Sequence, residues 1–126
     1  MKTPFDLSGH MYILVTLACT VYGQMVLKWQ VGMAGPMPDA SGDKVVFLLR
    51  QLLNPWIISG FVSAFLASMA WMAAMTRFDL NYAYPFMSLA FVIVMIISAV
   101  ALHEPLPMSR IAGTGLVIAG LLLITR

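Results

Sequence analysis

Apolar residues run through this chain in four long stretches, broken by short clusters of Gly, Pro, Asp, Asn and charged residues. A helix needs about 20 mostly apolar residues to cross a bilayer. By that measure the pattern predicts spans over about 11–30, 55–76, 82–102 and 108–125. Between the first two, VGMAGPMPDASGD at 31–43 carries the turn residues of a loop. The following KVVFLLRQLLN at 44–54 places Lys44 and Arg50 among aliphatics. This segment reads either as an interfacial helix over 44–53 lying on the membrane or as an extra turn leading into the second span. Asn54-Pro55 then supplies a helix start, with Asn as cap and Pro at the first helical position. RFDLN at 77–81 is short enough to make the second and third spans antiparallel neighbours, and HEPLP at 103–107 turns the chain into the fourth. The expected fold is all-α and integral to the membrane: one four-helix transmembrane domain over 1–126, with little outside the bilayer.

Polar residues inside the apolar stretches are the informative exceptions, because they are costly in lipid and face cavities or partners. In the first span Thr16, Thr20, Gln24 and Lys28 recur every fourth residue and so share one helix face. Gly23 beside them would admit a close neighbour. Thr16 and Thr20 can bond back to their own helix, whereas Gln24 has four hydrogen-bonding positions to fill. Lys28 stands near the helix end, where it either snorkels to the headgroups or meets a substrate.

The third span opens on NYAYPFMSLAF at 81–91. Pro85 removes a backbone donor and frees a carbonyl, and Tyr84 and Ser88 lie on the same face as that carbonyl. Tyr82 has the position of an ordinary interfacial anchor. Glu104 follows His103 at the end of this span, and His103 is a potential pH sensor. Since the first and third spans run parallel, Lys28 and Glu104 lie toward the same side of the membrane, which permits an ion pair or a shared substrate site. In the fourth span Gly113, Gly115, Ala119 and Gly120 mark close-approach points suited to helix packing or dimerisation.

Composition agrees with the pattern and narrows the function. The 126 residues are 61% hydrophobic and 10% charged, against about 45–50% and about 25% in soluble domains. A net charge of +2 without an arginine-rich run gives no reason to expect nucleic acid. Cys19 is the one cysteine, which leaves no disulfide framework and no zinc spacing. The first ten residues hold Asp6 as well as Lys2, and no small-residue cleavage site closes the run after them, so that run is expected to be a retained helix and not a signal peptide. Counting loop cations gives Lys2, Arg77 and Arg126 on one side and Lys44, Arg50 and Arg110 on the other. So even a split is what a dual-topology protein shows; a fixed topology set by partners fits it too. A soluble enzyme is excluded. A membrane enzyme is disfavoured, since Glu104 has no second carboxylate near it in the sequence and there is no metal cluster or activated nucleophile. Neither metal nor cofactor is expected. Transport, or service as a small partner subunit, remains.

Four spans in so short a chain, with GQMVLK at 23–28 and GTGLVIAG at 113–120, resemble the small multidrug resistance branch of the drug/metabolite transporter superfamily. Members of that branch work as antiparallel dimers, and the drug exporters among them carry a first-helix glutamate that binds proton and drug in turn. Here Thr20 falls at that position, and the early third helix has Pro85, Phe86, Met87 and Leu89 in place of the usual tryptophan and glycines. GQMVLK at 23–28, YAYPFMSLAFV at 82–92 and HEPLPMSRIAG at 103–113 together resemble more closely the undecaprenyl-phosphate-aminoarabinose flippase subunits. That resemblance implies movement of a lipid-linked sugar across the bacterial inner membrane, for attachment to lipid A, by a dimer of related four-helix subunits.

An anionic phosphodiester head needs a cation and hydrogen-bond donors. The candidate set is Thr20, Gln24, Lys28, Tyr82, Tyr84, Pro85, Ser88 and Glu104, with membrane lipid around the polyprenyl tail. Because four helices are too few to enclose such a head, a homodimer or a heterodimer with a related subunit is expected to complete the wall. The alternatives are a proton-coupled small-molecule exporter using Glu104, and an accessory subunit without transport of its own.

Overall fold

The computed structural model describes residues 6–126; Lys2, part of the charge count above, lies outside them. Helices and the short loops between them make up the described residues, with no strand among them. The helices are α1 (Leu7–Ala34), α2 (Ser41–Gln51), α3 (Pro55–Met75), α4 (Leu80–Ala83), α5 (Leu89–Ala101) and α6 (Met108–Ile124), with a 3-10 turn over Tyr84–Ser88.

Three helical units are long and apolar enough to cross a membrane: Leu7–Ala34, Pro55–Met75 and the combined Leu80–Ala101. At about 1.5 Å per residue, the 28 residues of α1 reach about 42 Å, well beyond a hydrocarbon core of about 30 Å. The first span is therefore longer at both ends than the apolar run alone indicates. Its start is set by Asp6, whose carboxylate accepts the Gly9 amide at 3.2 Å and so caps the helix. The fourth apolar helix, α6, has 17 residues, or about 25 Å, and falls short of the same core.

α1 and α3 form the main antiparallel pair, and small residues decide how close they come. A β-carbon added at Gly23 would stand 3.2 Å from the carbonyl oxygen of Gly60. Close by, the Ser63 hydroxyl donates across the interface to the Cys19 carbonyl at 2.7 Å. Buried Ile57, Gly60, Ser63, Ala67 and Ala74 make the matching face of α3. Lipid offers helices no hydrophobic drive to associate, so such close backbone approach and hydrogen bonding hold the pair. At one end Asn54 donates to Gln30 at 2.8 Å, and Trp29 meets Trp56 edge-on at 5.5 Å.

At the other end α1 is tied to the α3–α4 connection. Arg77 pairs with Asp6 at 3.3 Å, and His10 packs against Phe78 with ring centroids 4.8 Å apart. The Ser8 hydroxyl, the Gly9 amide and Arg77 hold the Asp6 carboxyl below its ordinary value of 3.8, against a smaller opposing effect of desolvation. A depressed carboxyl stabilises the fold above its unfolded value and loses that contribution as pH falls through the folded one. The gap in thermal unfolding midpoint between wild type and Asp6→Asn should therefore narrow on acidification below 3.8. A gap unchanged from about pH 7 to about pH 3 would contradict this.

The third span is not one continuous α-helix. Pro85 cannot donate to the ladder, and the chain tightens into a 3-10 turn over Tyr84–Ser88 before α5 resumes. α6 lies apart from α1 and α3, touching the 3-10 turn and α5, where Thr114 donates to the Met95 sulfur at 3.2 Å. Nothing lies within 4 Å of a β-carbon built at Gly113, Gly115 or Gly120. Gly113, Gly115 and Ala119 are exposed, while Gly120 is half-buried and borders a cleft with the 3-10 turn.

Candidate functional site

The polar face of α1 changes character along its length. Thr16 is buried, and its hydroxyl donates back to the Tyr12 carbonyl at 2.8 Å. Thr20 is half-buried, while Gln24 and Lys28 are exposed. Neither Thr20 nor Gln24 makes a side-chain hydrogen bond to any described residue. The expectation that Thr20 bonds back to its own helix is therefore corrected. Within a membrane, polar groups left open in this way line cavities or meet partners.

Two clefts flank this face and share Thr20 and Gln24 as a common ridge. One, of about 390 Å³, lies toward α5 and the start of α6; Ser98, Glu104 and Arg110 add its other polar groups, and Phe91, Val94 and Met95 are among its apolar walls. The other, of about 490 Å³, lies toward α3 and is bounded by Thr16, Ser68, Trp71 and Tyr84. Cavities of this size and largely apolar lining suit a small headgroup.

Glu104 of the first cleft meets Lys28, Nζ to Oε1 at 3.2 Å, and Lys28 itself lines a neighbouring cleft beside Gln24. The contact follows from topology, since α1 and the third span run parallel and end on the same side. The backbone that carries the acid is fixed locally. His103 adopts a left-handed conformation with φ of 54°, and the Glu104 amide folds back to the Ser98 carbonyl at 3.1 Å. His103 thus has a conformational role that composition did not reveal. Left-handed geometry costs a non-glycine residue about 1–2 kcal/mol. His103→Gly should accordingly leave the unfolding midpoint unchanged or raise it, and a marked fall would contradict the assignment.

The Lys28 side chain is 63% exposed and that of Glu104 is 32% exposed. A pair so open contributes no more than about 1 kcal/mol to stability. It is therefore an exchangeable contact and not a fold-determining one. Arg110, in the first turn of α6, lines the same cleft as Glu104, and its guanidinium makes no ion pair or hydrogen bond with any described residue. The sequence held a sign of this cation, three residues beyond HEPLP, but counted it only as a loop charge.

The remaining candidates divide between other places. Tyr84 is exposed, stacks edge-on with Trp71 at 6.0 Å and lines the α3-side cleft. Pro85 and Ser88 border a third cleft of about 570 Å³, shared with Tyr84 and Gly120. The Ser88 hydroxyl is already committed to the Pro85 carbonyl at 2.6 Å. Tyr82 stands elsewhere: its hydroxyl is 3.3 Å from His10, and its ring packs on Phe78 and Phe86 at the membrane end away from Lys28. Lys28 therefore meets the far end of the third span, whereas Gln24 lines both the cleft that holds Glu104 and the one bounded by Tyr84.

Long apolar helices bearing an internal polar face between lateral clefts define a multi-pass membrane protein of the transporter class. Comparison with known proteins specifies the class. The chain belongs to the EamA-like transporter family, whose model matches residues 4–126. It is 31% identical over 114 residues to the probable 4-amino-4-deoxy-L-arabinose-phosphoundecaprenol flippase subunit ArnE of Aeromonas salmonicida, covering 89% of this chain and 94% of that one. To the ArnE subunit of Pseudomonas fluorescens it is 29% identical over 116 residues, covering 90% and 96%. To the probable ArnF subunit of Sodalis glossinidius it is 32% identical over 123 residues, covering 92% and 89%. No solved structure matches the chain.

Proposed function

We propose that this protein is a subunit of a flippase that moves a polyprenyl-phosphate-linked sugar of the aminoarabinose type across the bacterial inner membrane. The observation that carries this reading is the polar face of α1, which leads from unpartnered Thr20 and Gln24 to the Lys28–Glu104 pair, whose acid lines the first cleft. A phosphate headgroup would exchange with Glu104 for Lys28 and be met by Gln24 and Thr20, while the polyprenyl tail stays in lipid outside the lateral cleft. Relatives named as subunits of an aminoarabinose-phosphoundecaprenol flippase support the same substrate class.

The working unit in this reading is a dimer with a second four-span subunit, identical or related, packed antiparallel. The uncovered small residues of α6 and the open sides of the clefts support it, because one copy does not enclose a headgroup. In such an assembly α6 spans the bilayer with help from its partner and from local thinning. α2 lies in the headgroup layer: it joins two spans on one side, and Val45, Leu48, Leu49 and Leu52 form one exposed apolar stripe. Export of a cationic drug fits less well, because Lys28 and Arg110 are the cations facing or lining the cleft that holds Glu104.

Native mass spectrometry in mild detergent tests the reading at the level of binding. The protein should retain a short-chain polyprenyl phosphate in preference to the corresponding neutral polyprenol, by about tenfold for one charge-assisted contact. Equal retention of the two lipids would remove the phosphate site.

A further inference from the structure

The cleft that holds Glu104 carries charges of both signs, and a phosphate uses only one of them. We propose that this cleft is a zwitterion site: Lys28 and Arg110 take the phosphate of the lipid-linked sugar, and Glu104 takes a primary amine on the same sugar. The inference rests on the flippase reading and goes beyond it, assigning a selectivity role to Glu104 and a binding role to Arg110.

Three observations lead to it. The left-handed His103 and the fold-back of the Glu104 amide to Ser98 fix the backbone that carries this acid. Its ion-pair partner among the described residues is Lys28, 3.2 Å away. Arg110 lines the same cleft of about 390 Å³ with no counter-ion among the described residues. The cleft thus offers one uncommitted cation and one exchangeable ion pair, between walls that are otherwise mostly apolar.

Consider an anionic headgroup entering such a place. A phosphate that draws Lys28 away leaves Glu104 without its partner. The same ligand displaces water from the apolar cleft, so the carboxylate is stranded where solvation is poor, and an unpaired charge there is costly. A ligand carrying its own ammonium group removes that cost by replacing Lys28 at Glu104. An amide in place of the amine supplies no charge and adds bulk. The site therefore favours the amino sugar over its acylated form through the penalty imposed on the latter.

The test uses vesicles containing the protein, with its partner subunit if one is required. They are loaded with equal amounts of a short-chain polyprenyl-phosphate aminoarabinose and its N-acetyl derivative. Wild type should move the free amine about tenfold faster, the ratio expected for one charge-assisted contact. Glu104→Gln should bring the ratio close to one, mainly by slowing the amine, and Glu104→Asp should restore much of it. Arg110→Gln should slow both lipids and leave the ratio intact. Because the ratio is read within one vesicle population, a loss of folded protein does not change it. A wild-type ratio near one, or a Glu104→Gln ratio equal to wild type, overturns the amine assignment while the flippase reading stands. Unchanged rates in Arg110→Gln overturn the phosphate role of that residue. Movement of neither lipid by wild type overturns the flippase reading, and this site with it.

Discussion

Lys28→Ala should slow glycolipid movement by about 10- to 100-fold while leaving the helices assembled. The size follows from what is lost. A hydrogen bond to a charged group contributes about 1.5–3 kcal/mol, and each 1.4 kcal/mol is about a factor of ten. Fold should survive because the lysine side chain is 63% exposed and its pair with Glu104 is an open one. Lys28→Arg should retain most of the rate, since the charge and reach persist. Rates in reconstituted vesicles, normalised to folded protein, check this. A Lys28→Ala protein that moves the glycolipid at the wild-type rate would remove Lys28 from the phosphate site.

The second large effect concerns the crossing of α1 and α3, and it should be asymmetric. At Gly23 a β-carbon would sit 3.2 Å from a backbone carbonyl oxygen, that of Gly60. Backbone cannot swing aside as a side-chain tip can, so the helices must separate, and the Ser63 to Cys19 hydrogen bond of 2.7 Å is strained with them. At Gly60 the nearest atoms to a β-carbon are 3.6 and 3.7 Å away, and two of them are side-chain carbons of Leu27 and Val26. Gly60→Ala should therefore be tolerated. Gly23→Ala should cost about the 1–3 kcal/mol typical of overpacking, enough to lower the yield of monodisperse protein. Thermal unfolding in detergent distinguishes the two. Equal tolerance at both positions would show that the helices do not cross where these glycines meet.

How much of this was legible beforehand depends on the distance over which each interaction acts. Spans and caps are local: apolar run length gave the three long apolar units, and Asn54-Pro55 gave the start of α3, where the Asn54 side chain does accept the Trp56 amide. The shared side of Lys28 and Glu104 was also readable, because it needs only the parity of spans. Gly60 as the partner of Gly23 was not, since a glycine in an apolar helix does not say which neighbour approaches it. A signal was present in the small residues Gly60, Ser63, Ala67 and Ala74 on one face of α3. The surroundings of Tyr82 were unreadable for a similar reason. Its partner His10 lies 72 residues away, in an N-terminal stretch that composition marked only as a flank. Thr20 and Gln24 were recognisable as one polar face, but their facing two clefts depends on where α5 and α3 settle. Uncovered Gly113 and Gly115 show the converse case, a packing motif with no counterpart among the described residues.

The central claim is that this protein moves a lipid-linked amino sugar from one leaflet to the other. Its most direct test is transbilayer movement of a short-chain polyprenyl-phosphate aminoarabinose in vesicles, followed by labelling the amine from outside with a membrane-impermeant reagent. Vesicles carrying the protein, alone or with a related four-helix subunit, should expose the inner-leaflet amine pool far faster than protein-free vesicles. They should leave an unrelated aminophospholipid in place. Exposure at the protein-free rate in both arrangements would contradict the account.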